Sequence, residues 1–224
     1  ENYREVYESG KNRVHPLIVP KLMNNAAASH VSIKYNAQGP CFTIASACSS
    51  SNHAMGQALN LIRKGDIKIA ITGGSESMLC FGGIKAWEGL RIMSKESCRP
   101  FCSTRDGMVQ GEGAAIFIFE ELEHAKNRGA TIFAEVVGFS MSSDAMDIVN
   151  PSKEGAARAI AGALTDAKLN PEDISYINAH GTGTIANDKT ECAAIRQTFK
   201  DHAKNIMISS TKSMHGHLIG GTGA

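Results

Sequence analysis

The sequence has almost no excess charge: 23 basic and 22 acidic residues leave a formal net charge of +1. That excludes a global basic field for nucleic acid or an anionic membrane and leaves only a local patch to attract an acidic partner. Long apolar runs are also missing, and no stretch reaches the ~18 residues needed to cross a bilayer as a helix. There is no low-complexity linker and no short-period repeat. The six cysteines, Cys41, Cys48, Cys80, Cys98, Cys102 and Cys192, are irregularly spaced in a chain too large to need a disulfide framework. Only Cys98 and Cys102 lie close together, and no second pair completes a metal site. These thiols are expected to be reduced and the protein cytoplasmic. An initiating methionine is absent too. With the ending Gly220-Gly221-Thr222-Gly223-Ala224, its absence leads us to expect a piece of a longer protein. What remains is 42% hydrophobic and 20% charged, which is ordinary globular composition with enough apolar material for a core.

The patterning alternates strands and helices. Residues 41–45, 67–72, 114–119, 131–138, 174–178 and 206–209 read as short buried strands. Residues 26–31, 49–64, 120–128, 151–168 and 187–200 read as helices, while 75–113 carry no clean long element. This order implies a parallel or mixed sheet covered on both faces. The segment 41–45 with its polar tip at Cys48 is echoed weakly by 206–209 with its tip at 213–217.

Three strand ends concentrate reactive side chains. In Ser46-Ala47-Cys48-Ser49-Ser50-Ser51 a cysteine stands at a helix start. Unsatisfied N–H groups and the helix dipole there favour a thiolate and lower the thiol pKa. A buried structural cysteine fits the position equally well. In Asn178-Ala179-His180-Gly181-Thr182-Gly183-Thr184 a histidine enters a glycine–threonine loop suited to backbone and hydroxyl contacts with a ligand. In Ser209-Ser210-Thr211-Lys212-Ser213-Met214-His215-Gly216-His217 a lysine and two histidines follow another strand, with no third ligand at metal spacing. Ligands of open α/β sheets gather at such strand ends. A thiol, imidazoles and an ammonium together suit acyl transfer through a thioester, with neutral imidazole donors for an oxyanion or enolate.

These segments, with GGSES at 73–77, RPF at 99–101 and RDGMVQGEGA at 105–114, resemble the elongating β-ketoacyl-acyl-carrier-protein synthases over essentially all 224 residues. The detail ACSSSNHA with Lys85-Ala86-Trp87-Glu88 resembles the nodulation protein E-like branch of that family. The resemblance implies a thiolase-like α/β fold of duplicated α-β-α-β-α layers, here lacking N- and C-terminal parts. Residues 1–129 would belong to its first half and 130–224 to its second. It implies that Cys48 accepts the acyl chain, that His180 and His217 serve decarboxylation and the enolate, and that Lys212 orients the histidine region. It assigns Thr182 and Thr184 to the phosphopantetheine arm and the Cys48 N–H to half of an oxyanion hole. No metal and no redox cofactor is implied. The implied partners are acyl carrier protein, acyl and malonyl thioesters and, at full length, a second copy of the chain, with no nucleic acid.

A cysteine hydrolase and a non-catalytic scaffold compete with this reading. Lys212 and the second histidine count against the hydrolase, and Cys48 against the scaffold. Lys11, Arg13, Arg63, Lys64 and Lys68 are candidate contacts for an acidic carrier, although each one taken singly reads more readily as solvated surface. His215 reads as a bystander and Glu112 as a group that bonds backbone near the site. Without a central first strand, 41–45 would fail to pair normally with 67–72, and the isolated chain is expected to fold poorly or stay inactive.

Overall fold

The structure, a computed structural model, describes residues 2–224, which fall into two compact units divided between residues 45 and 46. The first unit is helical, with α1 (Asn2–Ser9), α2 (Ile18–Leu22) and α3 (Ala26–Tyr35). The helix expected at 26–31 is thus longer than its apolar pattern suggested. Asn36 ends it in the left-handed conformation, φ 51°, and its N–H reaches Ile33 O and Ser32 O.

The second unit opens with a 3-10 turn, Ala47–Ser49, that runs into α4 (Ser50–Arg63). Helix α4 buries the small residues Ser51, Gly56 and Ala58 together with Leu59, and packs on β1 (Ile69–Glu76). Helix α5 (Phe81–Gly89) follows inside the stretch where no element was expected. Strand β2 (Gly113–Glu120) pairs antiparallel with β1, Ile69 opposite Glu120 and Glu76 opposite Gly113. Helix α6 (Leu122–Asn127) starts on Glu121, whose carboxylate accepts the N–H groups of Glu123 and His124. Helix α7 (Lys153–Ala167), capped by Ser152, and α8 (Ile185–Phe199), capped by Thr184, pack together. Strand β3 (Tyr176–Asn178) lies parallel to β4 (Met207–Ser209), and the short α9 (Lys212–His215) follows. Ile195, Phe199 and Ile206 form the buried centre here, with Ile160, Leu164, Ile174 and Ile177 against them.

Two expected strands are not strands. Residues 41–45 and 131–138 join no ladder among the described residues, although both are apolar. A strand exists only through its neighbour's hydrogen bonds, so apolar content alone does not make one. The echo between 41–45 and 206–209 therefore loses its first strand. One face of the β1–β2 ribbon carries Ile69, Ile71, Ile116 and Ile118, all exposed.

Candidate active site

Cys48 sits in the turn before α4, and side-chain hydroxyls hold that turn. Ser49 Oγ donates to Ser46 O (2.8 Å), Ser50 Oγ to Ala47 O (2.7 Å), and Ser46 N to Ser50 Oγ (2.8 Å). The serines around Cys48 therefore shape backbone. Ala47 takes φ 45°, a conformation that disfavours a side chain, immediately before the cysteine. The helix start was expected to favour a thiolate. Instead burial pushes the Cys48 thiol above its ordinary value, outweighing the Lys212 ammonium and the backbone N–H, which both act downward. Desolvation wins because the thiolate would lose more hydration than those partners return.

His180 follows β3, and its loop is anchored by a carboxylate. Glu191 accepts the His180 N–H (2.6 Å) and the Gly181 N–H (2.8 Å). Gly181 has φ 41°, and a Cβ there would collide with Ser210, whose hydroxyl donates to Gly181 O (2.8 Å). Asp188, only 2% exposed, accepts from Phe101 N (2.7 Å), Gly183 N (3.2 Å) and Asn187 Nδ2 (3.1 Å), with Arg105 Nε at 3.5 Å. It ties the threonine loop to the turn at 99–105. Thr182 and Thr184 share a hydroxyl–hydroxyl bond of 2.8 Å, and Thr184 also caps α8 by accepting Asn187 N–H (3.4 Å).

His217 is 1% exposed and fixed in one tautomer. Its Nδ1 accepts the Ile219 N–H (2.9 Å) and lies 3.0 Å from Thr222 Oγ1. An amide can only donate, so the ring proton belongs on Nε2. The backbone of His217 is clamped by 108–112: His217 N donates to Val109 O (2.7 Å) and Gly111 N to His217 O (2.9 Å). A Cβ on Gly111 would strike His215 O, so only glycine allows this approach.

These segments bring Cys48 Sγ and ring nitrogens of His180 and His217 to within 4.8 Å of one another. The imidazoles meet edge-to-face at 5.3 Å. Burial, aided by the Lys212 charge, holds His180 down to about 4. Burial, then the charges of His180, Lys212 and His215, hold His217 down to about 3. Both rings are neutral near pH 7. Lys212, 3% exposed, stands among Cys48, Glu191, Cys98 and Asp188, with burial pulling its pKa down against those groups.

The depressed imidazoles make stability acid-sensitive. Unfolded histidines take up protons near their ordinary value of about 6.5, whereas the folded ones resist until about 4 and about 3. Below pH 6.5 the unfolded state binds more protons, so the penalty is absent above that pH and grows as pH falls toward 3. A urea midpoint followed from pH 7.5 to 4.5 is expected to fall, and less in His217→Gln.

Sequence reasoning missed Asp188 and Glu191. Their signal was acidic residues three apart opening a helix directly after a candidate loop. Asp188→Ala leaves the buried Gly183 N–H and the half-buried Phe101 N–H without their acceptor, while Asn187 Nδ2 keeps only Glu191 (3.4 Å). Chemical unfolding is expected to show a loss of about 3 kcal/mol.

Other candidates resolve individually. Glu112 accepts Leu79 N–H (3.3 Å), the backbone role expected of it. Arg63 is committed to Asp166 (2.8 Å) and Val137 O (2.7 Å), and Lys11 to Glu5 (2.8 Å), which removes two charges from the candidate carrier patch. Cys98 donates to Thr182 O (3.3 Å), while Cys102 faces Thr104 Oγ1 (3.2 Å). His215 turns to Gly216 O (2.8 Å) and is exposed.

The architecture and the cysteine with two imidazoles define a thiolase-like α/β protein. Residues 1–125 match the N-terminal domain of β-ketoacyl synthases and residues 133–224 the C-terminal domain. The chain belongs to the β-ketoacyl synthase family. It is 48% identical over 224 residues to nodulation protein E of Rhizobium leguminosarum bv. trifolii, covering 100% of this chain and 56% of that one. It is 41% identical over 228 residues to 3-oxoacyl-[acyl-carrier-protein] synthase 2 of Staphylococcus aureus, covering 99% and 57%. A solved type II PKS acyl-carrier protein in complex with its ketosynthase bound to the hexaketide superposes with TM-score 0.93 at 34% identity, covering 100% of this chain and 58% of that one. The chain thus spans little more than half the length of these relatives. Among the described residues no helix is long and apolar enough to cross a membrane.

Proposed function

We propose that the protein containing this chain is a β-ketoacyl-acyl-carrier-protein synthase that lengthens an acyl chain by decarboxylative Claisen condensation. The observation that carries this is one partly buried cluster of a thiol and two uncharged imidazoles, one with its proton set on Nε2. In the first half-reaction Cys48 sulfur attacks the acyl thioester carbonyl. The Cys48 proton passes to the departing phosphopantetheine thiol, which suits a site whose imidazoles are too weakly basic to keep it. In the second, the malonyl C–C bond breaks to give CO2 and an enolate. Imidazole N–H groups stabilise that enolate without a change of charge. Its carbon attacks the acyl carbonyl on Cys48, the C–S bond breaks, and the sulfur takes a proton from solvent to restore the thiol. The products are a 3-oxoacyl carrier protein and CO2.

Lys212 holds positive charge beside Cys48 and both imidazoles and acts as their orienting group. Thr182 and Thr184 exchange their mutual bond for contacts with the pantetheine arm. The parent protein would work in the cytoplasm as a homodimer, with 1–129 and 130–224 as parts of its two halves, and receive acyl carrier protein, the partner seen with the related ketosynthase. No metal or redox cofactor enters this reading. His217 Nδ1 is engaged by Ile219 and its Nε2 carries the proton, and a buried ammonium beside Cys48 opposes a cation.

The test is intact-mass analysis of the full-length protein with acyl carrier thioester. One acyl adduct, mapped to Cys48 and discharged when malonyl carrier protein is added, is expected. Hydrolysis without an adduct or CO2 would favour a cysteine hydrolase.

A further inference from the structure

Gln110 is a polar residue buried beside the catalytic cluster that the reaction outlined above does not use. It is 7% exposed, and its Oε1 has no hydrogen-bond partner within the described chain. The remaining amide atom, Nε2, meets only the thioether of Met78, at 3.9 Å. Met78 in turn accepts the indole N–H of Trp87 (3.3 Å). A buried amide with one weak sulfur contact is unusual, because such groups normally satisfy both ends.

The direction of the side chain follows from the backbone. Gln110 and His217 form a parallel bridge, flanked by His217 N to Val109 O and Gly111 N to His217 O. Residues directly opposite in a bridge present their side chains to the same face. The Gln110 amide therefore emerges beside the His217 imidazole and extends toward Met78 and Trp87. Lys212 and the threonine loop, which also border the cluster, are polar. The Met78–Trp87 side offers thioether and indole surface suited to the carbon skeleton of an acyl chain.

We infer that Gln110 determines acyl specificity: its free Oε1 accepts a hydrogen bond from a hydroxyl on the chain of the thioester substrate. An unsubstituted alkyl chain would bury that oxygen unpaired, while a hydroxylated chain would satisfy it. Sites with a polar group awaiting a partner discriminate strongly against analogues that lack one. This inference rests on the condensing reading and adds to it the class of acyl chain.

The experiment compares two acyl thioesters of equal length, one hydroxylated and one saturated and unsubstituted, with the full-length protein. Acylation of Cys48 is followed by intact mass, and kcat/KM is measured for each. The native protein is expected to prefer the hydroxylated chain by at least about tenfold. Gln110→Met, which keeps volume and removes the amide, is expected to reverse that preference by slowing the hydroxylated chain and speeding the plain one. Gln110→Glu, keeping an acceptor at the same reach, is expected to retain part of the preference. Normal acylation with parity between the thioesters would overturn this inference alone. So would Gln110→Met changing both rates equally, which would mean that the amide is structural or satisfied by water. Absence of any Cys48 adduct from a folded protein would overturn the condensing reading and this inference with it.

Discussion

Replacing Cys48 by alanine is expected to abolish both acyl transfer and 3-oxoacyl product, by about 10⁴-fold or more, in line with losing a covalent nucleophile. No other cysteine sulfur groups with the two imidazoles among the described residues. Cys98 is engaged with Thr182 O, and Cys192 lies on α8, away from the grouped donor atoms. Folding should be little affected, because Cys48 is only half-buried and the turn around it is held by Ser46, Ser49 and Ser50. A Cys48→Ala protein with an unchanged melting profile and near-native product formation would restrict Cys48 to a structural role and favour the scaffold alternative.

The second large effect is expected at His217. Its Nε2 proton is the donor whose position the structure fixes most firmly, through Ile219 N–H and Thr222 on the other ring nitrogen. Removing a preorganised donor of this kind costs about 10²–10³ in rate. His217→Ala should therefore lower 3-oxoacyl formation by about 10³-fold. Acylation of Cys48 should stay within about tenfold, since that step moves its proton between thiols. Single-turnover mass spectrometry separates the two steps. An equal loss in both would make His217 a general base for the thiol, contrary to its depressed basicity.

Much of the fold was legible because it depends on local pattern. Helices α4, α7 and α8 have helical apolar spacing, a serine or threonine at the start of the latter two, and stops at Gly65 and Lys168. Helix α5 was not legible, since Gly82, Gly83 and Gly89 disguise a segment that Cys80 caps with its sulfur. Residues 41–45 and 131–138 show the opposite failure: their apolar residues promise strands, but ladders are made by distant partners. At the site, Cys48, His180, Lys212 and His217 were marked by reactive side chains at strand ends. Asp188 and Glu191 left only a faint signal, their spacing at the start of α8, because their work is with backbone N–H groups, and Gln110 left none, because an unfilled bond has no sequence pattern. The direction of the Cys48 shift also escaped, since a helix start is visible in sequence and the depth of burial is not.

The central claim is that the Cys48, His180 and His217 cluster couples acyl transfer to decarboxylation. The most direct measurement follows carboxyl-labelled malonyl carrier protein added to the full-length protein already acylated on Cys48, counting released CO2 against 3-oxoacyl carrier protein in the same tubes. The account predicts equal amounts, both lost in Cys48→Ala. Discharge of the acyl group as free acid, with the label retained on the malonyl group, would contradict it.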